Sequence, residues 1–322
     1  MKFVWLLLNV ILLGSLASAQ EINFSRVQDM TIWYNQSLKT DKSNSIKLNF
    51  RNVQYAGAVA YNSIAAMADL PILSAAQKEK ERSGYLSASV GVASDKSNQG
   101  ILNNTLGLAG VSYAIPVAAN EVYVAVGFQA AYYQSRLNVT DITAFGDQYD
   151  KYGPIEGMQS SDRLANGWSY NHINLNAGIS VFSNSEFNKW YLGASVMSIN
   201  KPYTDKLKTD DYRLKQALGI QGGYRFIAAN NDDCAFHTSL NWQGRAYKHF
   251  FNMSYFKAIK KIEGGGGIGL GMGYRYDDAL VPNLEIRYVK AIIGLSYDIN
   301  ISGINAAGLQ RNGLELAVKL DF

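Results

Sequence analysis

From residue 45 onward, apolar and polar side chains alternate with period two in one segment after another. Between Glu121 and Leu137 one face carries Val122, Val124, Val126, Phe128, Ala130 and Tyr132, and the other carries Tyr123, Ala125, Gly127, Gln129, Ala131, Tyr133 and Ser135. Asn171 to Ser183 divides the same way, with Ile173, Leu175, Ala177, Ile179 and Val181 against His172, Asn174, Asn176, Gly178 and Ser180. Near the end Ile268, Leu270, Met272, Tyr274 and Tyr276 face away from Gly267, Gly269, Gly271, Gly273 and Arg275, and Leu314, Leu316, Val318, Leu320 and Phe322 oppose Glu315, Ala317, Lys319 and Asp321. Successive side chains of a strand point to opposite faces, so the pattern predicts strands with one apolar face throughout.

The predicted strands are Ser45 to Val53, Ala56 to Ala66, Gly84 to Ser94, Asn104 to Pro116, Glu121 to Leu137, Asn171 to Ser183 and Asn188 to Ile199. They continue with Tyr212 to Ala228, Asp233 to Ala246, Lys248 to Lys257, Gly264 to Tyr276, Ala279 to Tyr288, Lys290 to Asn300 and Asn312 to Phe322. That makes fourteen, once a turn is placed at Tyr288-Val289-Lys290. A soluble sandwich also alternates, but its strands average about 5–6 residues, and many of these are long enough to cross a bilayer when tilted. Tyr132, Tyr133, Trp168, Tyr170, Trp190, Tyr191, Tyr274 and Tyr276 gather near segment ends, as aromatic girdles do. The chain also closes on a strand ending in Phe322, as outer-membrane barrels do. The expected fold is therefore all-β, a transmembrane antiparallel outer-membrane β-barrel of about 14 strands.

The first residues carry an address. Met1 and Lys2 precede an apolar run from Phe3 to Leu16 and a small-residue site, Ala17-Ser18-Ala19, which together read as a signal peptide over residues 1–19. Residues 20–44 then form a segment before the barrel of residues 45–322. It carries Phe24, Trp33 and Tyr34, more aromatic surface than an inert leader needs, and is expected to pack inside or beneath the barrel. If Phe322 and the start of the barrel face the periplasm, Val117-Ala118-Ala119-Asn120, Asn184 to Phe187, Ala229 to Asp232 and the Val289 turn are the short periplasmic turns. Asn138 to Tyr170 and Asn200 to Asp211 are then the long outer loops. Met67 to Ser83 breaks this pattern on the periplasmic side, and its Gln77-Lys78-Glu79-Lys80-Glu81-Arg82 run reads as a short charged helix.

Composition mostly excludes. The 322 residues are 48% hydrophobic and 17% charged, with one Cys and three His, so neither a disulfide framework nor a Cys- or His-rich metal cluster is available. The net charge of +4 is spread without a basic block, which removes the footprint of a nucleic-acid binder. Ser180 and His172 share a strand face but lack a third member or a nucleophile elbow, so no catalytic residue is assigned and no enzyme is expected. Gly264-Gly265-Gly266-Gly267 lacks the Lys-Ser/Thr ending of a phosphate loop and reads as a turn with room for curvature. Asp141, Asp147 and Asp150 lack calcium-loop spacing and its terminal Glu. No cofactor is expected. In the long loop Tyr149, Tyr152 and Trp168 are the candidate partner-binding residues, because Tyr and Trp anchor protein interfaces.

A series of landmarks runs along the mature chain: Phe24-Ser25, Trp33-Tyr34-Asn35, Arg51-Asn52-Val53-Gln54, Ser94-Asp95-Lys96, Ser112-Tyr113-Ala114 and Phe145-Gly146-Asp147-Gln148-Tyr149-Asp150. It continues with Asn200-Lys201-Pro202, Gly273-Tyr274-Arg275, Asp278-Ala279-Leu280, Leu295-Ser296-Tyr297-Asp298-Ile299-Asn300 and Gly313-Leu314-Glu315-Leu316. In this order they resemble the PorP/SprF family of outer-membrane proteins, attached to the type IX secretion and gliding machinery of Bacteroidota. The resemblance implies a barrel that helps secrete a large surface protein, often an adhesin, and anchors it through the cargo's C-terminal targeting domain. Its partners would be outer-membrane lipid, that secreted protein and other type IX translocon components. One departure stands out: family members usually carry Asn-Pro-Ala near the mature start, and here Asn35 is followed by Gln36-Ser37. The alternative function, from barrel size alone, is a gated transport barrel for hydrophobic or small solutes.

Overall fold

The computed structural model describes residues 24–55, 58–73, 83–97, 100–118, 122–139, 146–155, 157–161, 165, 167–259, 265–303 and 311–322. The signal peptide, the Gln77 to Arg82 run and Asp141 lie outside them. The strands are β1 (Ser45–Tyr55), β2 (Ala58–Ile72), β3 (Tyr85–Ser97), β4 (Leu102–Ala118), β5 (Val122–Leu137), β6 (Tyr149–Asp150), β7 (Gly153–Pro154) and β8 (Trp168–Asn184). They continue with β9 (Asn188–Met197), β10 (Ala217–Ile227), β11 (Asp233–Gln243), β12 (Ala246–Ala258), β13 (Gly266–Arg275), β14 (Ala279–Tyr288), β15 (Ala291–Asn300) and β16 (Arg311–Asp321). Apart from the small β6–β7 ribbon, all of them form one closed antiparallel barrel of fourteen strands, in which each pairs with its chain neighbour and β16 closes on β1. The closing ladder runs from Ser45↔Asp321 to Tyr55↔Arg311, so each of the fourteen barrel strands is paired on both sides.

The alternation is inverted relative to a soluble core. Ile46, Leu48 and Phe50 point out and are exposed, while Lys47, Asn49 and Arg51 point in and are buried. Leu270 is 67% exposed and Phe128 63%, whereas Glu315 and Arg26 are 1% exposed. Large apolar side chains facing outward around a whole barrel are stable only against lipid, and buried charges only where they are paired. Among the described residues no helix is long and apolar enough to cross a membrane. The crossing is made by strands of 10 to 17 residues.

Two expected boundaries move by five residues or more. β2 runs on to Ile72, so Met67 begins no loop. Leu70 and Ile72 continue its outward face, and Met67 and Asp69 face inward. An acidic residue in mid-strand reads as the end of a strand until the lumen gives it partners. At the other end β10 starts at Ala217, not Tyr212, because residues 210–212 form a 3-10 turn and Arg213 bridges back to Tyr203. The turn between β14 and β15 lies at Val289 and Lys290 as expected, with Val289 at φ 53. Gly265 is a turn residue at φ 89, but Gly267 begins an inward face on β13 of four glycines followed by Arg275. Phe250 from β12 fills the space there, a Cβ on Gly273 falling 3.0 Å from its ring. The β14–β15 ladder skips Val281 and Pro282, where proline has no N–H to give.

Asp232 fixes the turn into β11. It accepts hydrogen bonds from Lys257 Nζ (2.6 Å), the Ala258 amide (2.9 Å) and the Tyr255 hydroxyl (3.0 Å). The hydrogen bond from Lys257, followed by that from the Ala258 amide, lowers its carboxyl to about 2. An unfolded Asp titrates near 3.9, so this carboxylate stabilises the fold fully above about pH 4 and loses that effect as pH falls to about 2. The thermal midpoint of Asp232→Asn is therefore expected to lie below the parent's at pH 6 and to meet it near pH 2. A gap that persists unchanged to pH 2 would show that the turn does not use the charge.

Candidate functional site

The lumen is occupied by the chain's own residues 24–44. A 3-10 turn (Val27–Met30) runs into one α-helical turn (Thr31–Tyr34), and both are too short to be stable alone. They are held by a small apolar core in which Phe24, Met30, Ile32 and Trp33 pack against the inward Met67, Leu106 and Leu108. Phe24 and Trp33 meet edge to face at 5.6 Å. The family-divergent Asn35-Gln36-Ser37 follows as an Asx turn, Asn35 Oδ1 accepting from the Ser37 amide (3.0 Å) and hydroxyl (2.7 Å).

This turn lies against glycines of the wall. A Cβ on Gly127 of β5 would fall 2.6 Å from Ser37 N and 2.7 Å from Gln36 C, and one on Gly193 of β9 would fall 2.7 Å from Asn35 Nδ2. Gly110 of β4 lies equally close to Gln36 and Gly178 of β8 to Asn35. Polar side chains complete the seat. Asn35 Nδ2 donates to Gln221 Oε1 (3.0 Å), Ser89 Oγ to Gln36 Oε1 (2.8 Å) and Ser180 Oγ to Ser37 O (2.9 Å). The sequence departure at Gln36-Ser37 is thus matched inside the barrel.

The two ends of the plug are tied by charge. At its start the amides of Ser25 (2.5 Å) and Arg26 (3.0 Å) donate to Glu315 of β16, and Ser25 Oγ donates to Asp298 of β15 (2.7 Å). Those carboxylates belong to a chain of alternating charges: Arg311 with Asp278, Asp278 with Arg275 (2.8 Å), Arg275 with Asp298 (3.1 Å), and Asp298 with Arg51 (2.5 Å). Arg26 pairs with Asp29 and with Glu285 of β14 (2.6 Å). At the other end Lys39 reaches Asp41 (2.7 Å) and Asp69 (3.1 Å), and Lys47 also holds Asp69 (2.7 Å). Both ends of the segment are thus tied to the contiguous arc from β14 to β2, and the Asn35–Ser37 turn between them reaches the facing wall at β5, β8, β9 and β10.

The long loop carries the second surface. Residues 146–161 hold themselves together: Ile155 N donates to Gln148 O (2.8 Å), and Asp147 accepts from Ser160 Oγ (2.6 Å) and from the Ser161 amide (2.6 Å) and hydroxyl (2.9 Å). These bonds, that from Ser160 first, lower the Asp147 carboxyl. Asp150 accepts from the amides of Tyr152 (2.7 Å) and Gly153 (3.1 Å). Both carboxylates serve as turn acceptors. Among the described residues no group of acidic, His or Cys side chains could hold a metal. Tyr149 and Tyr152 share this hairpin, Tyr152 being 84% exposed, and Ile155 and Met158 beside them are exposed too. Trp168 does not join them. It opens β8, opposite Leu137, on the inward face that also carries Tyr170 and His172, and is only half-buried.

Ser180 and His172 remain apart, eight residues and about 26 Å along one strand. Ser180 is spent on the plug, and His172 stacks on Tyr133 at 5.3 Å. Sequence reasoning missed both the glycine seat and the charge chain. The available signal was the glycines recurring at inward positions of neighbouring strands, where a barrel wall would ordinarily carry polar side chains.

Fold, inverted surface and filled lumen define an outer-membrane β-barrel with a built-in plug. The family described as type IX secretion system membrane protein PorP/SprF matches residues 37–316, and the chain belongs to it. No curated protein matches the sequence. Among solved structures, the TodX deltaS2S3 mutant monoaromatic hydrocarbon channel superposes with a TM-score of 0.50 at 8% identity, covering 90% of this chain and 93% of that one. The P. putida toluene transporter TodX gives 0.48 at 7% identity over 91% and 92%. The KdgM porin in complex with disordered oligogalacturonate gives 0.37 at 8% over 86% and 99%. At such identities the likeness concerns the barrel architecture alone.

Proposed function

We propose that this barrel assists secretion of a large surface protein and anchors it at the cell surface through the cargo's C-terminal targeting domain. In this reading Ser45 and Phe322 face the periplasm, the long loops face outward, and the cargo is held by the 146–161 hairpin. No covalent chemistry is involved. The reading rests on membership of a type IX secretion family and on one observation. The lumen is filled by hydrogen-bonded residues of the chain itself, while an internally braced loop exposes Tyr149, Tyr152, Ile155 and Met158. Exposed apolar side chains on an ordered loop suit a protein interface. The two longest connections, β5 to β8 and β9 to β10, both lie at the end opposite Ser45, which supports the orientation.

The test is cargo retention. Anchoring aromatics are worth about 2 kcal/mol each, or roughly thirtyfold in affinity. Tyr149→Ala combined with Tyr152→Ala is expected to reduce the secreted protein that co-purifies with the barrel by at least about thirtyfold, with barrel abundance unchanged. Deletion of residues 147–162 should abolish retention, and undiminished retention would refute the assignment of this loop. The competing reading, a gated solute conduit, requires the plug to leave, and ion conductance of the unaltered barrel would favour it.

A further inference from the structure

Lys189 of β9 and Arg225 of β10 are direct cross-strand partners, and both line a lumen cavity of about 390 Å³. The cavity lies between the plug residues Gln28, Thr31 and Leu38 and the wall. Like charges placed directly opposite destabilise a sheet. Arg225 has little to offset this. Among the described residues it donates no hydrogen bond, and its ion-pair contact is Asp233 at 3.7 Å, a carboxylate already paired with Arg287. Its side chain is 35% exposed, on the inward face of β10. The cavity's acidic residues are committed elsewhere: Asp29 and Glu285 to Arg26, Asp41 and Asp69 to Lys39, and Asp321 to Lys319. One wall is flat and aromatic. Tyr191 lies over Gly223, where a Cβ would fall 2.7 Å from Tyr191 Cζ, and stacks on His237 at 6.1 Å.

We propose that this cavity binds a small ligand through a carboxylate or phosphate group held between Arg225 and Lys189. An oxyanion placed there screens the two cations from each other. The guanidinium fork matches its geometry in two parallel hydrogen bonds. The volume is that of a small-molecule pocket, and the Tyr191–His237 wall receives the ligand's organic part.

The test uses the full-length barrel in mild detergent, titrated calorimetrically with succinate or with inorganic phosphate, against sodium chloride of equal ionic strength. Saturable binding of at least one is expected. Succinate alone assigns the site to carboxylates, and phosphate alone to phosphoryl groups. Loss of a charged hydrogen-bond partner should weaken binding about ten- to hundredfold in Arg225→Gln, with Arg225→Lys retaining part of it. Arg225 makes no hydrogen bond in the wall, so Arg225→Gln should keep its heat-shifted electrophoretic mobility. Lys189→Gln provides the second, independent loss. Absence of saturable binding to the parent barrel, or undiminished binding by both glutamine variants, overturns the proposal.

Discussion

Gly127→Val is expected to open the barrel. The parent should be silent in a planar bilayer, because residues 24–44 bridge its lumen, and the variant should show stepwise conductance. The reason lies in what the new side chain meets. At Gly178 an added Cβ meets the side-chain amide of Asn35, which can swing away, and at Gly110 it meets that of Gln36 together with the wall's own Phe128 carbonyl at 2.8 Å, not the backbone of the plug. At Gly127 it meets the backbone of Gln36 and Ser37, at 2.7 and 2.6 Å, so the whole turn must leave. Overpacking of this kind costs about 1–3 kcal/mol, which shifts a seated-to-displaced equilibrium by roughly 5- to 150-fold. The barrel itself should survive, since the plug contributes no rung to the ladders, and heat-shifted mobility would confirm this. A silent Gly127→Val barrel with new protease sites near Asn35 would mean that the displaced segment still blocks the lumen. A silent barrel without them would refute the seat.

Glu315→Ala should be the most destabilising single substitution in the wall. Glu315 is 1% exposed and accepts four contacts: the amides of Ser25 and Arg26, Asn49 Nδ2 at 2.8 Å, and Arg51 Nε at 3.7 Å. Its removal takes the acceptor from two buried backbone N–H groups and from the Asn49 side-chain amide, and takes one carboxylate from Arg51. Breaking a buried pair from one side costs about 3–5 kcal/mol, reduced here by any water the lumen admits. Thermal unfolding in detergent should show the loss directly. Glu315→Gln keeps an acceptor oxygen and should recover part of it. Equal midpoints for Glu315→Ala and the parent would mean that the charge chain is ornamental to stability.

The wall was readable because lipid imposes one rule on every strand. Val122 to Tyr132 and Ile268 to Tyr276 alternate as they do because their outward partners are acyl chains, and that pressure does not depend on neighbours distant in sequence. The errors fell where the inward face decides. The stretch from Met67, expected as a loop, is strand to Ile72, and the cations that let it carry Asp69 inward, Lys39 and Lys47, belong to other segments. Phe24, Trp33 and Tyr34 marked the leader as more than a tether, but its seat is built from absent side chains, at Gly110, Gly127, Gly178 and Gly193, which carry no period of their own. Arg51 and Asp298 meet across 247 residues of chain, a pairing that no local pattern encodes. In the outer loop Tyr149 and Tyr152 stood out by residue type. Trp168, chosen on the same ground, is part of the wall because its strand begins at that residue.

The plug's first tether also orders the birth of the molecule. Ser25 and Glu315 are separated by 290 residues, and Glu315 lies on β16, the strand that closes against β1. Until β16 arrives, Ser25 and Arg26 have no carboxylate to bind, and the lumen has no complete circumference to hold them. Contacts this far apart in sequence form late, after most of the loop-closure entropy has been lost. Seating the leader and sealing the cylinder are therefore one event. Whatever guides the last strand into place inserts, in the same motion, the stopper made from residues 24–44.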